Sequence, residues 1–409
     1  MATIAAPDLA DVDYFTDRAV LLDPYQYFEA VRARAPVTKA GPHDILFVTG
    51  FQEAVEVLLN AEDFSSIIST AGPVVPLPFT PEGDDITAQI AEHRGEMAAT
   101  DLMVAYDGER HAHARSLLTA LFTPSRLKAN EEFMERLADQ MVREAVAKGG
   151  CDSVNEMATP FVTLVIADLL GVPEEDRETF RKVIDSGPPP GDMDAADQHE
   201  ASHALVFMGQ YFARYIAERR AAPQDDVMTE LALAKFPDGS TPDLMEVVKA
   251  AMFLFAAGQD TSAKLVGNAM RFMTESPELQ AALRADPRRI PNFLEEVLRL
   301  EGSTKMTARL AVRNTRIGGT DVAVGTRVFV GLAAANRDPR RWEDPKVFRL
   351  DRPKIREHVA FGRGAHTCVG SPLARVEVRV LFEKFLEHTS DIRISEAHHG
   401  APGSRKIDY

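Results

Sequence analysis

The feature that most constrains this 409-residue chain is a ten-residue loop, Phe361-Gly-Arg-Gly-Ala-His-Thr-Cys-Val-Gly370, followed at once by an apolar helical pattern. It holds Cys368, one of only two cysteines in the chain. Glycines at 362, 364 and 370 permit tight turns and let the backbone approach a flat group where a Cβ would collide. The N–H groups of such a loop, with the N-terminus of the helix behind it, stabilise negative charge on sulfur. A thiolate held this way is a strong axial ligand for iron. A lone cysteine is ordinarily an inert buried residue, so the pattern around the sulfur carries the weight.

Composition narrows the remaining choices. Cys151 and Cys368 make no disulfide framework, which points to a reducing compartment. The first residues, Met-Ala-Thr-Ile-Ala-Ala-Pro-Asp-Leu-Ala-Asp, carry no basic leader and no bilayer-length apolar run, so a cytoplasmic protein without a membrane anchor is expected. A net charge of −16 without a basic stripe speaks against nucleic-acid binding. No linker-like segment divides the chain, so one domain over 1–409 is expected, mainly α with small β-sheets (α+β). Its β-rich part falls at about 37–60 plus 305–333.

Along the chain, residues 22–36 read as a helix with Pro24 near its start, Ile45–Thr49 as a strand and Phe51–Leu59 as a helix. Residues 65–105 are a long proline-broken loop in which only Asp85–Ala98 looks helical, and loops of that length are usually functional or disordered. His111 and Arg115 stand four apart and share one helix face, a spacing that suits two cations reaching one anion. Helices follow at about 125–148, 154–171, 174–185 and 198–221, with Ser186-Gly-Pro-Pro-Pro-Gly-Asp192 as a breaker. Met208, Tyr211 and Phe212 read as core. A long apolar helix spans Pro242 to about Ser276, with Thr241 expected as its cap and Ala256-Ala-Gly-Gln-Asp-Thr261 at its middle. Glu296 and Arg299 are three apart on a further helix, and Val322–Gly325 with Arg327–Gly331 read as a β-hairpin.

Phe361, Gly362, Gly364, His366, Cys368 and Gly370 together resemble the haem-ligand signature of the cytochrome P450 monooxygenases, and the resemblance extends from Pro24 to the C-terminus. It implies a triangular prism with haem between a long central helix and the cysteine-loop helix. Cys368 would be the metal ligand, as in other haem-thiolate proteins. No Cys-x-x-Cys-His occurs, so the cofactor implied is heme b, bound non-covalently. Ala257, Gly258, Phe361, Gly362 and Gly370 would line it, and His111, Arg115 and Arg309 would take its propionates, with His366 as a further candidate. Asp260 and Thr261 resemble the family's acid–alcohol pair, which delivers the protons needed to split dioxygen. Thr261 can alternatively bond the Ala257 carbonyl, and Asp260 can pair with Lys264. Glu296 and Arg299 match the family's structural pair. Its usual third arginine is replaced by Val347, so Arg352 is expected in that place.

The implied activity is hydroxylation of a hydrophobic terpenoid, steroid or aromatic substrate with O2, by a monomer. No G-x-G-x-x-G opens a helix after a strand, so electrons would come from a separate partner, which the resemblance implies to be a ferredoxin with its reductase. Arg110, Arg363 and Arg375 are expected as the docking patch. Lys305 leaves an anionic substrate open. A peroxide-driven peroxygenase and a haem-thiolate sensor or carrier are the competing readings. By the same resemblance the 65–105 loop covers substrate, the helices around 186–192 form a lid, and Ser303 stands where relatives commonly have proline. The chain also stops at Arg405–Tyr409, where relatives continue through a C-terminal hairpin.

Overall fold

The computed structural model describes residues 8–185 and 195–395. The 186–192 breaker and the chain end at 405–409 lie outside them. The described residues form two compact units.

The first unit comprises Met1–His111, Thr304–Phe348 and Lys354–Cys368. Its sheet uses β1 (Val37–Lys39), β2 (Ile45–Val48), β3 (Phe64–Ser65), β4 (Thr307–Ala311) and β7 (Arg327–Val330), in the order β1-β2-β7-β4-β3. β2 and β7 run parallel, pairing Ile45 with Arg327 and Val48 with Val330. The unbroken apolar run of β2 follows from its central position, buried on both faces. Alternate residues separate cleanly. Ile45, Phe47 and Phe329 join Tyr14, Tyr27 and Phe28, with Phe47 stacked on Phe329 at 4.5 Å. Leu46, Val48, Val328 and Val330 pack instead against Phe51, Ala54, Val57, Leu58 and Trp342.

The expected hairpin of Val322–Gly325 with Arg327–Gly331 does not exist. β6 (Thr320–Val322) pairs with β5 (Thr315–Ile317) in a separate two-stranded sheet. The turn is Gly318-Gly319, both at positive φ (54° and 84°), which suits a two-residue hairpin loop. The long loop is ordered around Ile67, Ile68, Ile86 and Ile90, which pack on Ala308 and Leu310 of β4 and on Val312. Its helix covers only Thr87–His93, continued by a 3-10 turn to Glu96.

The second unit comprises Ala112–Ser303, Arg349–Pro353 and Val369–Tyr409, and within the described residues its secondary structure is helical. Pro124–Lys148, Thr159–Leu169, Glu174–Asp185 and Ala195–Ala221 match the expected helices within a few residues, save that the expected 154–171 helix opens with a π-helical turn at Ser153–Ala158. The long helix is Leu244–Glu275, 32 residues and about 48 Å. It packs against Thr159–Leu169, Ala195–Ala221, Ile290–Glu301 and Ser371–His388. Its start is two residues later than expected. Asp243 rather than Thr241 caps it, in a capping box with Glu246. The Thr241 hydroxyl instead takes Lys235. No helix among the described residues is long and apolar enough to cross a membrane.

Candidate functional site

In the sheet unit, the cysteine loop is closed by the Cys368 N–H donating to the Phe361 carbonyl at 2.9 Å. The Cys368 side chain is exposed. Gly362 and Gly364 stand at φ 68° and 71°, a region that side chains resist. A Cβ on Gly364 would lie 2.5 Å from the Leu58 carbonyl oxygen, so this glycine also lets the loop lie on the helix Phe51–Leu59. Gly370, at φ −80°, sits in ordinary backbone at the cap of Ser371–His388, so the turn does not require glycine there.

Three of the expected propionate residues belong to this unit. The His111 and His366 rings lie 4.0 Å apart, and His366 Nε2 is 3.9 Å from Asp107. Asp107 is held by the Ser65 hydroxyl and by the Ser66 N–H at 2.9 Å. Arg309, on β4, is 5% exposed. Its guanidinium donates to Ser69 Oγ (3.0 Å), Thr307 Oγ1 (2.9 Å) and the Ala308 carbonyl (2.7 Å), all neutral acceptors. Desolvation pulls its pKa down to about 10, with only partial compensation from Asp107. Among the described residues no carboxylate lies within ion-pair distance of it. A buried cation satisfied only by neutral oxygens is a fitting partner for an anionic cofactor group. Arg115 lies one turn beyond His111 on the helix Gly108–Thr119 and is partly exposed.

In the helical unit, Ala256, Ala257 and Thr261 are the only exposed residues from 250 to 274. They form a small-residue patch on an otherwise covered stretch in the middle of the helix. Thr261 Oγ1 donates back to the Ala257 carbonyl at 2.9 Å. Asp260 Oδ2 pairs with Lys264 at 2.8 Å, while Oδ1 is buried without a partner. Both local bonds named as alternatives are therefore present, and neither uses up the oxygen atoms of the pair. Gly258 also has a packing reason to be glycine: a Cβ there would fall 2.8 Å from Ile166 Cδ1, so it lets the long helix lie close on the helix Thr159–Leu169.

Glu296 and Arg299 are fully buried and joined by two 2.8 Å bonds. Arg352 completes the cluster, its Nε 2.9 Å from Glu296 Oε1, and the Arg349 N–H adds a 3.0 Å bond. The suggested docking cations are variously engaged. Arg110 pairs with Asp101 at 2.8 Å, Arg363 donates to the Glu357 carbonyl, and Arg375 is bound at 2.5 Å to the buried Glu295. Arg375 is thus a structural residue. Lys305 bonds the Tyr25 hydroxyl at 2.9 Å. Met208, Tyr211 and Phe212 are buried, as read.

Sequence reasoning missed Glu377, and it singled out Ser303 only as a departure from the relatives' proline, without a role. Glu377 is 1% exposed, and burial raises its pKa to about 7 against a weaker opposing bond from Ser262. Its Oε2 has no partner. Ser303 Oγ donates to the Thr261 carbonyl at 2.6 Å. Neither has a local signal, because each partner comes from a distant segment.

Comparisons with known proteins agree with this geometry. A family model described as Cytochrome P450 matches residues 193–390. The chain is 47% identical to the substrate-free cytochrome P450 CYP150A6 of Mycobacterium marinum, with a TM-score of 0.89 over 96% of this chain and 93% of that one. It is 30% identical to the cytochrome P450 monooxygenase PikC of Streptomyces venezuelae, across 96% of this chain and 90% of that protein. CYP109E1 of Bacillus megaterium, solved in complex with corticosterone, is 27% identical with a TM-score of 0.75, over 90% of each chain. With this likeness along nearly its whole length, the chain belongs to the cytochrome P450 family, oxidoreductases of the monooxygenase type that bind haem through a cysteine thiolate.

Proposed function

We propose that this protein hydroxylates a hydrophobic small molecule of terpenoid, steroid or aromatic type, using O2 and two electrons from a ferredoxin and its reductase. The observation that carries the reading is the exposed Cys368 thiol, closed into a glycine loop at the head of Ser371–His388. Cys368 would hold the iron of a non-covalent heme b, and Arg309, His111, Arg115 and His366 would hold its carboxylates. When bound, the haem supplies the activation of dioxygen.

The chain's own residues supply orientation, protons and dryness. Thr261 keeps its hydroxyl at the exposed patch by bonding back to Ala257, leaving its oxygen lone pairs as acceptors for a water. Asp260, held to Lys264 through Oδ2, keeps its buried Oδ1 open to accept a proton and so serves as the relay to Thr261. Ala257, without bulk, leaves room beside them. The 65–105 loop covers the substrate. The corticosterone complex of CYP109E1 supports a substrate of that size and polarity. The protein acts as a cytoplasmic monomer, one catalytic domain in its working form.

Turnover with ferredoxin, reductase and NAD(P)H is the test, on a compound selected by its shift of the haem absorption band. Product under those conditions and not with peroxide alone is expected. Turnover by peroxide alone would replace the reading with the peroxygenase. In the same assay Thr261→Ala is expected to divert most reducing equivalents to hydrogen peroxide. Undiminished product yield in that variant would contradict the role of Thr261.

A further inference from the structure

The helix Ile290–Glu301 ends at Gly302, and Ser303 is the last residue of its unit before the chain passes to Thr304. Side-chain bonds tie this stretch to the long helix Leu244–Glu275. Asn268 Nδ2 donates to the Glu301 carbonyl at 2.7 Å, and Arg271 Nη2 lies 3.3 Å from Glu301 Oε1. A further bond, Ser303 Oγ to the Thr261 carbonyl at 2.6 Å, reaches the turn that bears Asp260 and Thr261.

A helical carbonyl accepts one N–H from four residues on and keeps a second lone pair. A hydroxyl donor on that lone pair fixes the carbonyl without breaking the helical ladder. The donor here is anchored. Ile290–Glu301 carries the buried Glu296–Arg299 pair, itself locked by Arg352. The Thr261 hydroxyl, meanwhile, is bonded only within its own helix, to Ala257 and more weakly to Gly258. A proline at 303 has no donor to offer, so this device belongs to the serine this chain carries.

We propose that Ser303 is a positioning residue, which holds the Thr261 turn in register with the buried Glu296–Arg299–Arg352 cluster and so sets where the Thr261 hydroxyl delivers protons. The proposal rests on the haem-thiolate reading given above and adds a residue that acts through Thr261 without touching the reacting atoms.

The test compares holoenzyme of wild type, Ser303→Ala and Ser303→Thr. Hydrogen exchange is followed by mass spectrometry over residues 258–266, together with the share of NAD(P)H electrons recovered as peroxide on a spectrally selected substrate. Loss of one net hydrogen bond corresponds to about fivefold faster exchange in Ser303→Ala. The peroxide share is expected to rise several-fold at unchanged KM, and Ser303→Thr should restore both. Wild-type exchange in Ser303→Ala would overturn the proposal. Faster exchange without more peroxide would also overturn it, since the bond would then only stiffen the helix. Failure of the threonine to rescue would do the same. The reduced carbonyl spectrum of the wild type separates this from the parent reading. A normal thiolate band with unaltered exchange removes only the role of Ser303, whereas a missing band removes both.

Discussion

Glu377 carries the sharpest consequence at the scale of single residues. It is a fully buried acid whose pKa is raised to about 7, chiefly by burial. Its folded-state value lies above the ordinary 4.5, so the stability it contributes is fully present below pH 4.5 and is lost as pH rises through about 7. The span corresponds to roughly 3 kcal/mol as an upper bound. Glu377→Gln should therefore flatten the stability profile between pH 5 and 8 and be the more stable form at pH 8. Denaturant titrations at both pH values check this, and an unchanged slope would contradict it. Glycines make a second comparison. Gly362→Ala meets only its positive φ, about 1 kcal/mol, whereas Gly364→Ala adds a Cβ 2.5 Å from the Leu58 carbonyl and should cost at least about 2 kcal/mol. Equal melting temperatures for the two variants would count against the packing of the loop on Phe51–Leu59. The cysteine loop was legible because a rare residue type stands among glycines at fixed spacing. The roles of Ser303, Glu377 and Asp107 were not, because what defines each is a partner brought in from far along the chain.

Among the elements, the helix Ile290–Glu301 is organised by Glu296, which accepts from Arg299, Arg352 and the Arg349 N–H within a dry interior. Glu296→Ala would leave two guanidinium groups buried without their carboxylate, a loss of about 3–5 kcal/mol. The expected outcome is little soluble, haem-loaded protein, read from its yield and melting temperature. A variant melting within a few degrees of wild type would contradict the reading. Most helices were legible from apolar spacing because each buries one stripe. The errors fall where local signals compete. Thr241-Pro242 is a plausible helix start, yet Asp243 with Glu246 satisfies more N–H groups and moves the cap. Val322–Gly325 and Arg327–Gly331 look like hairpin partners, yet Gly318-Gly319 closes a tighter turn and leaves β7 to pair with β2 and β4. Pairings such as Ile45 with Arg327 span most of the chain, and no local pattern encodes them.

For the whole molecule, the composition excluded classes of function without choosing one. A net charge of −16 and two cysteines are compatible with many enzymes. The proposed role rests on features spread over the chain: an exposed cysteine in a glycine loop, a buried Arg309 with no carboxylate within ion-pair distance among the described residues, and Asp260 beside Thr261 at an exposed patch in the middle of a long helix. The central claim is a bond from the Cys368 sulfur to haem iron, and the absorption spectrum of the reduced carbon monoxide complex tests it most directly. The wild type is expected to show the red-shifted band of thiolate ligation, and Cys368→His the shorter-wavelength band of imidazole ligation. A wild-type protein that binds no haem, or whose band matches that of the histidine variant, would contradict the account.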